Sequence, residues 1–171
     1  MNFHTARLSL RPMLAGDAGL IFAIMGDAQA MCFWDRPALT RLATAEEIVA
    51  GQIAAMAEGD HLYWTVSLDG VPIGSCDLSA IDHGHQRAEI GFLFRRDYWG
   101  HGYAREALAP VIAHGFGPLG LARLSARIHV GNKAAKNLLE RPDFVQEGLL
   151  RGFVRREGAA RDCALYAKLR G

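Results

Sequence analysis

Between Ala88 and Leu108 the chain reads AEIGFLFRRDYWGHGYAREAL, and this stretch limits the fold more than any other. An apolar strand ends near Phe94, a short loop carries Gly100 and Gly102, and a helix starts at once. Its apolar residues Ala104, Leu108, Val111 and Ile112 keep helical spacing to about Phe116. A helix start offers amide donors without partners at a positive dipole end, and glycines let the backbone approach an anion closely. The amides of Gly100, His101, Gly102, Tyr103 and Ala104 are therefore candidates to cradle a pyrophosphate, with the His101 side chain placed to add a donor. The same two glycines also suit a tight turn that holds no ligand. Neither common nucleotide loop is present. The lysine-serine ending of a P-loop is missing, and so are the first glycine and distant acidic residue of a dinucleotide fingerprint.

The rest of the chain interleaves strands and helices. ARLSLRP alternates Leu8 and Leu10 against Arg7, Ser9 and Arg11, a half-buried strand ending at Pro12. Asp17 precedes a helix over Ala18 to about Gly26. The segment from Asp27 to Thr40 has no clean period and reads as a long loop or broken helix. Thr44 and Glu47 have capping-box spacing and predict a second helix to about Glu58. LYWTVSL and PIGSCDLSAI are strands around Asp69-Gly70, a strong hairpin signal. LSARIHV is a further strand, followed by a short helix from Asn132 to Arg141. Two closing strands lie around Gly148–Val154 and Cys163–Leu169. The expectation is a single α+β domain over residues 1–171, with a mixed, mostly antiparallel sheet of six to seven strands flanked by about four helices.

Half of the 171 residues are hydrophobic, enough for a full core, and the net charge is +1. A near-neutral chain argues against a nucleic-acid-binding task. Cys32, Cys76 and Cys163 are odd in number and scattered, which suits reduced thiols rather than a disulfide framework or a zinc site. The opening residues lack the cationic start and apolar run of a signal peptide, and no apolar stretch reaches membrane-spanning length. A cytoplasmic protein without a membrane partner is expected. His83-Gly84-His85 beside Asp82 lacks a convincing third ligand, so no metal is expected.

Tyr98-Trp99-Gly100-His101-Gly102-Tyr103-Ala104, followed by Glu106-Ala107, resembles the central motif of the GNAT superfamily of N-acetyltransferases, and more narrowly the branch that includes ribosomal-protein alanine acetyltransferases. The similarity extends along nearly the whole chain, through ARLSLRP, Asp69-Gly70, Ile73-Gly74, the helix led by Asn132, and Phe144, Glu147-Gly148, Leu150-Arg151 and Asp162. It implies acetyl-CoA as cosubstrate and transfer to a primary amine of a protein N-terminus, an amino acid or a small molecule. A homodimer is common among such enzymes. Backbone groups of Phe92, Leu93 and Phe94 would pair with the pantetheine arm, in the opening where that strand splays from LSARIHV. Asn132 would reach the cofactor, and it also suits a helix N-cap.

Nitrogen must lose a proton as it attacks a thioester, and Glu89 is the candidate base, in an apolar strand where relatives carry a catalytic or water-holding glutamate. Desolvation there would raise its pKa. A structural pairing with Arg87 or Arg127 is the alternative role. His129 is a second candidate. A backbone amide near Phe92 would hold the oxyanion. Two departures stand out. Ala135 and Leu139 replace the serine or tyrosine that protonates the leaving thiolate in relatives, and Pro142-Asp143 replaces Leu-Gly. The missing acid leaves open a non-catalytic acyl-CoA-binding or regulatory module on the same fold. Acceptor choice is expected from the first helices, the loop near Trp34, the 82–86 turn and the last hairpin. Phe33, Trp34, Tyr63, Trp64 and Phe153 are candidate aromatic liners, each also explicable as packing. Asp35, Glu46 and Asp77 could attract a cationic amine or be solvated.

Overall fold

Asp69 and Gly70 both take positive φ, at 49° and 79°, and so close a tight hairpin whose twist matches its strands. In the computed structural model, which describes residues 1–171, this hairpin joins β3 (Leu62–Leu68) to β4 (Val71–Asp82) at the middle of one sheet. The other strands are β1 (Phe3–His4), β2 (Leu8–Pro12), β5 (Arg87–Phe94), β6 (Arg123–His129), β7 (Val145–Arg156) and β8 (Ala159–Leu169). The order is β1-β2-β3-β4-β5-β6-β8-β7, and every pairing is antiparallel except β5 with β6. The sheet thus has eight strands, more than expected, because the two residues of β1 add an edge strand. Phe3 holds that edge by packing on Trp64 and His114, with ring centroids 5.5 Å away in each case.

Four helices cover the sheet: α1 (Ala18–Met25), α2 (Leu42–Glu58), α3 (Tyr103–Phe116) and α4 (Lys133–Glu140). The capping box expected at Thr44 and Glu47 does not form. The helix begins earlier, at Leu42, after an extended Arg41 with no side-chain cap. Burial of Ala45 and Val49 against α1 fixes where that helix lies, and tertiary packing here outweighs the local hydrogen-bond option.

Two cores result, one on each face. Ala107, Leu108 and Val111 of α3 and Leu139 of α4 pack with Val66, Leu78, Ile90, Leu124 and Tyr166 on one side. On the other, α1 and α2 enclose Met13, Ile21, Met31 and Val49, with Tyr63 and Leu93 of the sheet against them. The second face also carries a buried polar knot. Asp17 is 4% exposed and accepts bonds from Arg11 (2.7 and 2.7 Å), Thr65 Oγ1 (2.7 Å) and the Leu14 amide (2.8 Å). Burial alone would raise its pKa, but these donors outweigh it and hold the carboxyl below its ordinary value.

No helix is long and apolar enough to cross a membrane. Pro142 ends the α4 segment, and Asp143 takes the left-handed conformation (φ 67°) that a glycine would otherwise supply. The Pro-Asp departure is therefore structural.

Candidate active site

β5 and β6 run side by side for only three residue pairs, Arg87–Arg123, Ala88–Leu124 and Glu89–Ser125. Beyond Glu89 they part, because β5 stays paired with β4 through Phe94 while β6 stays paired with β8 through His129. Each arm keeps its other neighbour, so a wedge opens between them with Glu89 at its vertex. The 82–86 turn lies at the closed end, where Ala122 and Arg123 both donate to the Gln86 carbonyl.

Backbone polarity along the open edge follows from strand alternation. The Arg95 amide bonds to Ile73 of β4, and the Ala88 carbonyl faces β6, where the Ser125 hydroxyl approaches at 3.4 Å. Polar groups of Phe92 and Phe94 therefore face the wedge. Those of Leu93 face Ser75 on β4, so its main chain is committed to the ladder and only its side chain reaches the α1–α2 core. This corrects the expectation that all three residues offer backbone groups. The Phe94 carbonyl also accepts the Trp99 indole N–H at 2.9 Å, which pins the following loop to the strand end.

That loop leads to α3. Gly100 and Gly102 both have φ of 80°, a left-handed conformation costly for any other residue. The amides of Gly100, His101, Gly102, Tyr103 and Ala104 have no acceptor within the protein. The first three residues are exposed and the other two half-buried. The His101 ring stacks on Tyr103 at 5.7 Å, and the Arg7 guanidinium lies 4.5 Å from the Tyr103 ring centre. Sequence reading missed the role of Glu106. Its carboxylate accepts from the Thr5 hydroxyl (2.6 Å), the Arg7 amide (2.8 Å) and Arg7 Nε (2.7 Å). Burial opposes the charge, but these donors hold the carboxyl below its ordinary value. Glu106 thereby fastens the β1–β2 corner to the first turn of α3 and fixes that helix start against the sheet.

Asn132 caps α4, its Oδ1 accepting the Ala135 amide at 3.1 Å. Ala135 and Leu139 are both buried, on the inner side of that helix, and neither has a proton to give.

Glu89 is ion-paired rather than desolvated. Arg127 Nε and Nη2 both donate to its Oε2, at 3.0 and 2.7 Å, and its side chain is 36% exposed. Oε1 receives no bond from the protein. The Phe153 ring lies 4.9 Å from the Arg127 guanidinium and shelters the pair from the β7 side. Farther along β6, buried His129 holds Asp35 of the α1–α2 connection through Nε2 at 2.8 Å. That connection is clamped to the last hairpin by Arg156, which donates to the Met31 carbonyl (2.6 Å), and by Arg161, which donates to that of Cys32 (3.2 Å). A cavity of about 380 Å³ opens there, lined by Phe33, His129, Val130, Ala160, Arg161 and Asp162. The loop near Trp34 and the last hairpin thus meet at the wedge mouth. Trp64 does not join them; it is 2% exposed in the core under α3.

Asp77 of β4 stands opposite Gly91 of β5, and Tyr63 of β3 stands opposite Asp77. Burial pushes its carboxyl up to about 7, with the Ser79 hydroxyl and His61 pulling the other way and Glu89 adding to the rise.

A family model described as Acetyltransferase (GNAT) domain matches residues 7–145. The chain belongs to the GNAT acetyltransferase family. It is 28% identical over 171 residues to an uncharacterized N-acetyltransferase, p20, of Bacillus licheniformis, covering 99% of this chain and 96% of that one. It is 25% identical to the spermidine N(1)-acetyltransferase of Escherichia coli K12, over 84% of this chain and 75% of that one. The fold matches a solved structure of RimL, a ribosomal L7/L12 alpha-N-protein acetyltransferase in complex with coenzyme A, with a TM-score of 0.90, 19% identity and coverage of 99% and 98%. As a member of this family, the chain is an acetyl-CoA-dependent N-acetyltransferase.

Proposed function

We propose that the chain carries the acetyl group of acetyl-CoA directly to a primary amine within a ternary complex, in the cytoplasm. The observation that carries this reading is the wedge between β5 and β6, with unpaired amides of residues 100–104 beyond its β5 arm and a carboxylate at its vertex. Diphosphate binds those amides, and His101 adds a donor from its ring. The pantetheine arm runs along the outward polar groups of Phe92 and Phe94, and the thioester lies between the strands near Glu89. The Phe92 amide receives the oxyanion. Asn132 reaches the cofactor through its side-chain amide while its oxygen caps α4. Glu89 takes a proton from the attacking nitrogen at its free Oε1, directly or through one water, with Arg127 holding the carboxylate in place. With Ala135 and Leu139 in the acid's place, CoA leaves as a thiolate, which its ordinary pKa near 8.5 permits. Relatives acting on spermidine and on a protein N-terminus support an amine acceptor of either kind.

Titration calorimetry with acetyl-CoA and CoA tests the first half, and absence of binding at high micromolar ligand defeats it. A screen of amines and N-terminal peptides for CoA release tests the second. Glu89→Gln is expected to lower kcat by about 100-fold with little change in acetyl-CoA affinity. Binding without thiol release from any amine, together with indifference to that substitution, would identify a non-catalytic acyl-CoA-binding module instead.

A further inference from the structure

The second face of the sheet is polar where it meets the wedge. Period-two alternation along β4 puts Ser75, Asp77 and Ser79 on that face, opposite Leu93, Gly91 and Glu89 of β5. Asp77 and Glu89 are therefore diagonal neighbours, about 7–8 Å apart by the usual spacing of such pairs. Gly91 is among the first residues of β5 past its pairing with β6, beside the expected position of the thioester. Its missing side chain is what makes room for Asp77. A Cβ added at Gly91 would lie 2.3 Å from Asp77 Oδ1 and 2.8 Å from Oδ2. The carboxylate thus lies across the main chain of β5, in space that only glycine leaves open.

No arginine or lysine neutralises it, and the one base acting on it is His61. Arg127, the cation nearest in the register, is spent on Glu89. The groups facing Asp77 are Tyr63 and His61 from β3 and its approach, Ser79 on β4 and Glu89 on β5; α1 (AGLIFAIM) carries no ionisable side chain, and Glu46, Glu47 and Glu58 of α2 are exposed. His61 is already bonded to Asp60 at 2.8 Å. Asp77 as a whole residue keeps intermediate exposure at this edge of the core.

We propose that Asp77 receives the acceptor as its ammonium ion and takes the first of the two protons the nitrogen must lose. The proposal rests on the acetyl-transfer reading above. An amine in water near neutral pH is R–NH3⁺, and the amide product keeps one N–H, so two protons depart. Asp77 carboxylate takes one, leaving R–NH2 and a carboxylic acid. The nitrogen lone pair then forms the C–N bond to the thioester carbonyl carbon, and the C=O π pair moves onto oxygen. Glu89 takes the second proton as the tetrahedral adduct forms. The oxygen pair re-forms C=O, the C–S bond breaks, and the departing CoA thiolate takes the proton held by Glu89, directly or through one water. Asp77 returns its proton to solvent. The balance is R–NH3⁺ plus acetyl-CoA giving the amide, CoA-SH and one H⁺. Two carboxylates in unlike surroundings divide the work. Glu89, tied to Arg127, is the acceptor for the adduct, and Asp77, which has no arginine or lysine partner and whose carboxyl burial pushes up to about 7, can hold and release a proton near physiological pH.

The test compares wild type with Asp77→Asn, using spermidine and an alanine-starting hexapeptide as amine probes. Asp77→Asn is expected to cut kcat/KM about 100-fold at pH 7, with acetyl-CoA affinity unchanged within about twofold. The wild-type pH profile should contain a limb with its midpoint near 7 that the variant lacks. Gly91→Ala, which pushes the carboxylate aside, should lower kcat/KM in the same direction. The Asp77 carboxyl ¹³C resonance of the wild-type protein supplies a readout that needs no variant to fold for activity, and its midpoint should fall between about 6 and 8. An unchanged pH profile in Asp77→Asn, or a midpoint near the ordinary aspartate value of about 4, overturns the proposal. A wild type that binds acetyl-CoA but releases no CoA with either probe overturns the acetyl-transfer reading for them as well; an active wild type with an indifferent Asp77→Asn overturns the role of Asp77 alone.

Discussion

Gly102→Val is expected to weaken acetyl-CoA binding at least 100-fold. Gly102 holds φ at 80° just before α3, and nothing crowds it, since the nearest atom to an added Cβ is Arg7 Nη2 at 3.7 Å. The cost is therefore conformational. A β-branched residue in the left-handed region loses roughly 1–2 kcal/mol, and the chain escapes by rotating out of the turn. Rotation there redirects the amides of residues 100–104, the donors expected to meet the diphosphate. Each charge-assisted bond contributes roughly 1.5–3 kcal/mol, so loss of two carries the affinity past a hundredfold, at about 1.4 kcal/mol per factor of ten. Calorimetric titration with acetyl-CoA checks this. Far-UV circular dichroism should stay near wild type, because α3 remains fastened at Glu106 to Thr5 and Arg7. Binding within threefold of wild type would show that these amides do not hold the cofactor.

Asp17→Asn is expected to cost about 3 kcal/mol of stability, the lower end for a broken buried pair. Asp17 is nearly sealed, but Arg11 is 39% exposed and can turn to water when its partner loses charge, which limits the damage. In a protein of this length the loss corresponds to a Tm lower by roughly 6–12 °C, measurable by calorimetry. The sign of the pH dependence follows from the carboxyl being held below its ordinary value. Its contribution is complete above the unfolded-state pKa of about 3.9 and disappears as pH falls through the lower folded-state value. Wild type should therefore lose this increment on acidification below about pH 4, and Asp17→Asn should show a flatter stability curve over that window. A Tm change under 2 °C at pH 7 would mean that Arg11, Thr65 and the Leu14 amide are equally well served by an amide.

Local order made much of the fold legible in the sequence. Asp69-Gly70 dictates a tight hairpin because few dipeptides accept positive φ twice running, and the glycines at 100 and 102 mark a strand-to-helix turn for the same reason. The period of α3, the cap at Asn132 and the left-handed Asp143 are likewise decided by neighbours within a few residues. The Thr44–Glu47 box failed because the alternative start at Leu42 buries Ala45 and Val49, a gain invisible without α1 in place.

The arrangement that can do chemistry was set at longer range. Whether Glu89 is solvated, desolvated or paired depends on Arg127, 38 residues away. The commitment of Leu93 to β4 rather than to the wedge depends on strand register, and Glu106 acquires its role from Thr5 and Arg7, about 100 residues earlier. Asp77 is one of three acidic residues that the sequence offers to a cationic amine, and only the register that sets Gly91 opposite it singles it out. Turn and cap preferences are short-range backbone energies that a sequence carries directly. Which side chains share a face of the sheet, and which charges remain without a counter-ion there, depends on how distant strands align, and only the assembled sheet decides that.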